Sequence, residues 1–113
     1  MSPEDRKLVT LARATRARTS AAEGAAVRDS DGRTYAAATV LLPSLSLSAL
    51  QVCVAMAVAS GSRGLEAAVL LTEATSFPPA DLAALRDLGG DGVVVHRADA
   101  RGQVAQTSTT RAE

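Results

Sequence analysis

Ser46-Leu47-Ser48-Ala49-Leu50-Gln51-Val52-Cys53-Val54-Ala55-Met56-Ala57-Val58-Ala59-Ser60-Gly61 is the stretch that decides how this chain folds. After Leu50 only Gln51 interrupts its apolar run. A helix that is hydrophobic nearly all the way round is not stable on a surface and needs cover on several sides. The spacing therefore predicts a central helix over residues 46–60, packed against a sheet on one side and against other helices or subunits on the rest. The first turn of such a helix is also where chemistry is expected.

The bulk numbers narrow the setting of that helix. A chain of 113 residues holds one core and not two. Twelve basic and twelve acidic residues cancel, which removes the long-range attraction that nucleic acid or anionic lipid requires. Phe and Tyr occur once each and Trp is absent, so Ala, Val and Leu must fill the core. The single cysteine, Cys53, excludes a disulfide within the chain and points to a reducing compartment, here the cytoplasm. No apolar signal region follows the charges of Met1 to Lys7. The uncharged span between Arg33 and Arg63 is long enough to cross a bilayer. Its Pro43, its serines, Gln51 and its many alanines instead read as a buried helix with its lead-in, and no membrane association is expected.

Upstream of the central helix, Ser2-Pro3-Glu4-Asp5 is a helix start: a hydroxyl cap, proline at the first helical position and carboxylates at the positive dipole end. Leu8, Leu11, Ala12 and Thr15 recur on one face, while Arg6, Lys7, Arg13 and Arg16 make a solvated basic face. This helix is expected to end between Ser20 and Gly24. Gly24 to Arg28 reads as a strand, Asp29-Ser30-Asp31-Gly32 as a tight turn, and Arg33 to Val40 as the returning strand of a hairpin. Pro43 is expected to break the chain before the central helix.

Downstream, Ser60-Gly61-Ser62-Arg63-Gly64 stops the helix with glycine as its cap. Leu65 to Thr72 reads as a buried strand, Ala80 to Leu88 as a helix ended by Gly89-Gly90, and Gly92 to His96 as a second buried strand. Gln103 to Thr107 is expected to form a weak edge strand, and residues 108–113 a polar, frayed tail. One domain over residues 1–107 follows. Strands joined through helices argue for an α/β fold, a three-layer α/β/α sandwich on a mixed five-stranded sheet with the hairpin at one edge.

This order, with several local stretches, resembles the cytidine deaminase family over roughly Leu8 to Thr107. Gly24-Ala25-Ala26-Val27 followed by Asp31-Gly32-Arg33 is similar to that family's first hairpin. Leu47 to Gly61 is similar to the helix carrying its C-A-E motif, and Phe77-Pro78 onward to the start of its P-C-x-x-C helix. Val93-Val94-Val95, then Asp99 and Gly102, is similar to its last hairpin.

What the resemblance implies about activity is negative. Zinc deaminases hold the metal with one His or Cys and two Cys, and a glutamate that is not a ligand moves the protons. In this sequence the C-A-E positions read Ser48-Ala49-Leu50, and the P-C-x-x-C positions read Pro78-Pro79-Ala80-Asp81-Leu82. The ligand positions are thus Ser48, Pro79 and Leu82, and the proton shuttle is Leu50. Proline and leucine bind no zinc, and leucine moves no proton. The family's ribose-gripping N-x-E falls near Thr39-Val40-Leu41, and no carboxylate occurs between Asp31 and Glu66. Its pyrimidine-side phenylalanine falls near Ala21, and its C-terminal helix is missing or truncated.

Other constellations offer little. Cys53 lies more than a helical turn beyond Ser48 and reads as a small buried hydrophobe, and His96 as a strand-end residue near the surface. Even with Asp81 added, they form no recognisable ligand set. Ser44, Ser46 and Ser48 have no nearby histidine to activate them. Asp29, Asp31 and Gly32 look like a fragment of a calcium loop without its other ligands. Tyr35 and Phe77 alone are a thin platform for nucleic-acid bases.

The expectation is a catalytically inactive cytidine deaminase-like protein with no catalytic residues, no metal and no cofactor. It would act as a structural or protein-interaction module, homo-oligomeric (dimer or tetramer) through the central helix 46–60, because in the resembled family this helix lies at subunit contacts. An unidentified protein partner is open to it as well. A vestigial pocket would be lined by Ala25, Ser48, Ala49, Leu50, Pro79 and Leu82. Two alternatives stay open: a zinc-dependent nucleoside deaminase with an atypical site, and a binding module for a small, nucleoside-like molecule.

Overall fold

The first helix starts where Ser2 caps it, its hydroxyl accepting from the Asp5 amide at 3.1 Å. In this computed structural model, which describes residues 1–111, helix α1 spans Pro3–Thr19. Strands β1 (Gly24–Asp29) and β2 (Thr34–Ala38) form the expected hairpin. A second, small hairpin follows, β3 (Val40–Leu42) and β4 (Leu45–Leu47), outside the main sheet. Helix α2 (Ala49–Ala59), strand β5 (Leu65–Leu71), helix α3 (Pro79–Gly89), strand β6 (Val94–Ala98) and strand β7 (Val104–Thr109) complete the chain.

The main sheet is five-stranded in the order β2-β1-β5-β6-β7. It is mixed: β5 and β6 run parallel, and the other pairs are antiparallel. The parallel pair needs a crossover, and α3 supplies it. Alternating side chains divide between the two faces. Ala25, Val27, Ala68, Leu70, Val93 and Val95 pack with Ala49, Leu50 and Cys53 of α2, Leu85 of α3 and Phe77. Ala26, Ala67, Val69, Leu71 and Ala98 pack on the other face with Leu8 and Ala12 of α1. The sandwich therefore has the expected three layers. Small residues let α1 approach closely: a Cβ on Gly24 would meet the Ala12 carbonyl oxygen and the Arg16 Cβ.

Several expectations need correction. The central helix begins at Ala49 instead of Ser46, because Ser48 caps it through a reciprocal capping box with Gln51. Pro43 does not merely break the chain; with Ser44 it turns the β3–β4 hairpin, in register Leu42 to Leu45. The residues given to the end of one long strand split accordingly, with β2 stopping at Ala38. Leu11 is exposed, and Asp5 takes a place on the buried face of α1 beside Leu8, Ala12 and Thr15. The expected frayed tail is ordered through residue 110. Strand β7 runs to Thr109, and Thr110 is fully buried, its hydroxyl donating to the Gly90 carbonyl at 2.5 Å and accepting from the Val93 amide at 3.3 Å. Residues 112–113 of that tail lie outside the described residues.

Candidate functional site

The starts of α2 and α3 meet beside the sheet, the first capped by a side chain and the second opened by prolines. Ser48 sits at the N-cap of α2, where its Oγ accepts from the Gln51 amide at 3.1 Å while the Gln51 Oε1 accepts from the Ser48 amide at 2.9 Å. Helix α3 starts at Pro79, whose missing N–H costs nothing at that position, and Asp81 lies in its first turn. The Ser48 hydroxyl donates to Asp81 Oδ1 at 2.5 Å, bridging 33 positions of sequence. Asp81 is 1% exposed, and its Oδ2 is buried with no hydrogen-bond partner among the described residues. Burial pushes the Asp81 carboxyl above its ordinary range, and the Ser48 hydroxyl offsets this only in part.

The remaining positions singled out from the sequence surround this contact unevenly. Ala25, Ala49 and Leu50 are fully buried in the core under α2, and Leu82 packs against the same cluster. Pro79 faces outward at the start of α3. Cys53 is fully buried one turn further along α2, where burial drives its thiol up to about 12. Raised in this way, the thiol stays protonated at neutral pH and behaves as a small buried hydrophobe. A surface groove lies elsewhere, lined by Arg6, Val9, Thr10 and Gly102.

These residues do not fit the zinc centre that the C-A-E and P-C-x-x-C positions hold in zinc deaminases. A catalytic zinc takes three protein ligands. Here one hydroxyl, already engaged as donor and acceptor, and one carboxyl stand beside a proline and a leucine. Among the described residues no three His, Cys, Asp or Glu side chains come together to hold a metal ion.

Two polar networks were not legible from the sequence. His96, expected near the surface, is 4% exposed in the middle of β6. Its Nε2 lies 2.8 Å from Asp5 Oδ2 and its Nδ1 2.8 Å from the Thr107 hydroxyl, so α1 and β7 close over it from opposite ends of the sequence. Arg28 joins Asp5 at 2.9 Å and Glu66 at 3.1 Å. Burial alone raises the Asp5 carboxyl, but the hydrogen bonds with His96 and Arg28 outweigh it and hold Asp5 below its ordinary value. Asp29, at the start of the first hairpin's turn, is fully buried and spent internally. It accepts from the amides of Asp31 and Arg33, from the Ser62 hydroxyl at 2.5 Å and from Arg33 Nε at 3.1 Å. Burial raises it, and these donors together bring it net below its ordinary value. Only the spacing of Ser48 and Gln51 carried a readable signal, that of a cap; the acidic partner 33 residues away carried none.

Comparison with known proteins places this arrangement. Residues 1–102 match the family described as cytidine deaminase-like. Among solved structures, the cytidine deaminase from Burkholderia pseudomallei superposes with a TM-score of 0.82 at 21% identity, covering 97% of this chain and 94% of that one. The cytidine deaminase from Mycobacterium leprae gives 0.74 at 20% identity, covering 97% and 95%. That from Bacillus anthracis gives 0.68 at 15% identity, covering 96% and 84%. At these identities the likeness shows the fold. No curated protein matches the chain.

Proposed function

Because the chain belongs to the cytidine deaminase-like family, we propose that it is a member that has given up zinc-dependent deamination and works as a structural, protein-interaction module. The observation that carries this reading is the donor chemistry at four positions. Ser48, Pro79 and Leu82 stand where the metal ligands belong and Leu50 where the proton shuttle belongs. A hydroxyl, a ring and two hydrocarbon side chains neither hold a zinc-bound water nor move its proton. The buried Leu50 also offers no hydrogen bond to the polar edge of a nucleobase, which would lose its partners on entry.

The interaction half of the proposal rests on exposed apolar surface. Leu41, Leu42 and Leu45 are 79%, 58% and 49% exposed on the small β3–β4 hairpin. Val58 is 56% exposed on α2, where Ala55 and Ala59 are exposed too. No charged residue lies between Arg33 and Arg63, so the patch's own side chains bring no like charges together when two copies meet. An isolated two-stranded hairpin is marginal in water, and a partner surface would complete it. The chain thus acts as one domain that assembles with itself, as a dimer or tetramer, in the cytoplasm.

Metal analysis of the purified protein beside a cytidine assay tests the reading. Less than stoichiometric zinc and no turnover are expected, and one zinc per chain with uridine formation would overturn it. Light scattering behind size exclusion is expected to give a dimer or tetramer mass, and a clean monomer at micromolar concentration would reject the assembly.

A further inference from the structure

We infer that the Ser48–Asp81 hydrogen bond is a metal-free clasp, joining the start of α2 to the start of α3 so that this junction holds without any ion. The inference rests on the reading that zinc is absent, and extends it to what replaces the metal's joining role.

The two residues come from different helices, and no covalent or sheet bond ties those helix starts together. The Ser48 hydroxyl has one geometry open to it. The Gln51 amide takes its acceptor side, and Gln51 itself is fixed by its return bond to the Ser48 amide. Its proton is therefore aimed at Asp81, where the separation is 2.5 Å. A carboxyl at 1% exposure is a costly side chain to keep, and one of its oxygens goes unpaired among the described residues. An apolar residue would avoid that cost in the first turn of α3. Asp81 has a physical role only through the bond that it makes. On either side of it the ligand positions have become scaffold: Pro79 starts the helix and Leu82 packs into the core. Ser48 caps α2 and Asp81 lies in the first turn of α3, so both stand at positive helix ends, where an oxygen acceptor is favoured.

Thermal melts of the full chain test the clasp, using wild type, Ser48→Ala, Asp81→Ala and the double variant, each with chelator and with added zinc. Each single substitution is expected to lower Tm by about 4–8 °C, and the double variant to fall no further than the worse single. Zinc and chelator are expected to leave the wild type unmoved. Additive losses would overturn the clasp while leaving the functional reading intact. A wild-type Tm that rises with zinc or falls with chelator would overturn both. Hydrogen exchange supplies a second readout should Ser48→Ala fail to fold. Asp81→Ala is expected to speed exchange at the Gln51 and Val52 amides, on the other helix from Asp81. Unchanged protection there would reject the clasp.

Discussion

Asp81 and Asp5 are both nearly buried carboxyls, and they respond to acid in opposite senses. The Asp81 carboxyl is raised above its ordinary value of 3.8 by burial, which the Ser48 hydroxyl only partly offsets. A group raised on folding contributes stability that is complete below its unfolded pKa and is lost as pH rises through the folded one. The stability difference between wild type and Asp81→Asn, measured by urea unfolding, is therefore expected to shrink as pH rises from 3 through the window above 3.8; a difference that grew would contradict the burial. Asp5 is lowered, because hydrogen bonds from His96 and Arg28 overcome the burial that would raise it. Its contribution is present above 3.8 and is lost as pH falls through the lower, folded value. Asp5→Ala strips a partner from both His96 and Arg28, whose Nη1 is buried and unpaired among the described residues. A loss of about 3 kcal/mol in urea unfolding is expected, and a change below about 1 kcal/mol would show the network to be slack.

At the scale of the elements, the β3–β4 hairpin and the α1–β1 contact depend on opposite properties. The hairpin stands apart from the main sheet with three leucines in solvent, so its side chains do little for the core. Leu41→Ser with Leu45→Ser is expected to shift the assembly toward monomer in light scattering while leaving far-UV circular dichroism unchanged; an unchanged mass would move the interface elsewhere. The α1–β1 contact is instead set by the absence of a side chain. A Cβ at Gly24 would run into the carbonyl of Ala12, backbone that cannot step aside. Gly24→Ala is expected to cost about 1–3 kcal/mol by overpacking, read as a lower urea midpoint with an unchanged slope. Cys53 needs no such test of reactivity. With its thiol pushed up to about 12, slow alkylation until the chain unfolds follows from its burial.

At the scale of the whole molecule, one sheet is sealed on both faces by mostly small side chains, and polar links between distant parts of the sequence close its ends. Thr110 ties the last strand to Gly90 and Val93, His96 ties it to α1, and Ser62 ties the end of α2 to the first hairpin through Asp29. The sequence by itself determined the layers: the period of the apolar residues, the cap at Ser2 and the glycines after α2 and α3 are local signals. Those signals set element type because hydrogen bonding within a helix or turn is satisfied by near neighbours. The resemblance also put Ser48, Pro79 and Leu82 at the ligand positions, and the proposed loss of zinc rests on that placement. Only the tertiary structure decided where the ionisable groups went. His96 was read as a surface residue and lies buried against Asp5, 91 positions away, and Asp81 found Ser48 across 33. A buried polar group is stable only with a partner, and the partner is chosen by how the layers stack, which no local stretch of sequence encodes.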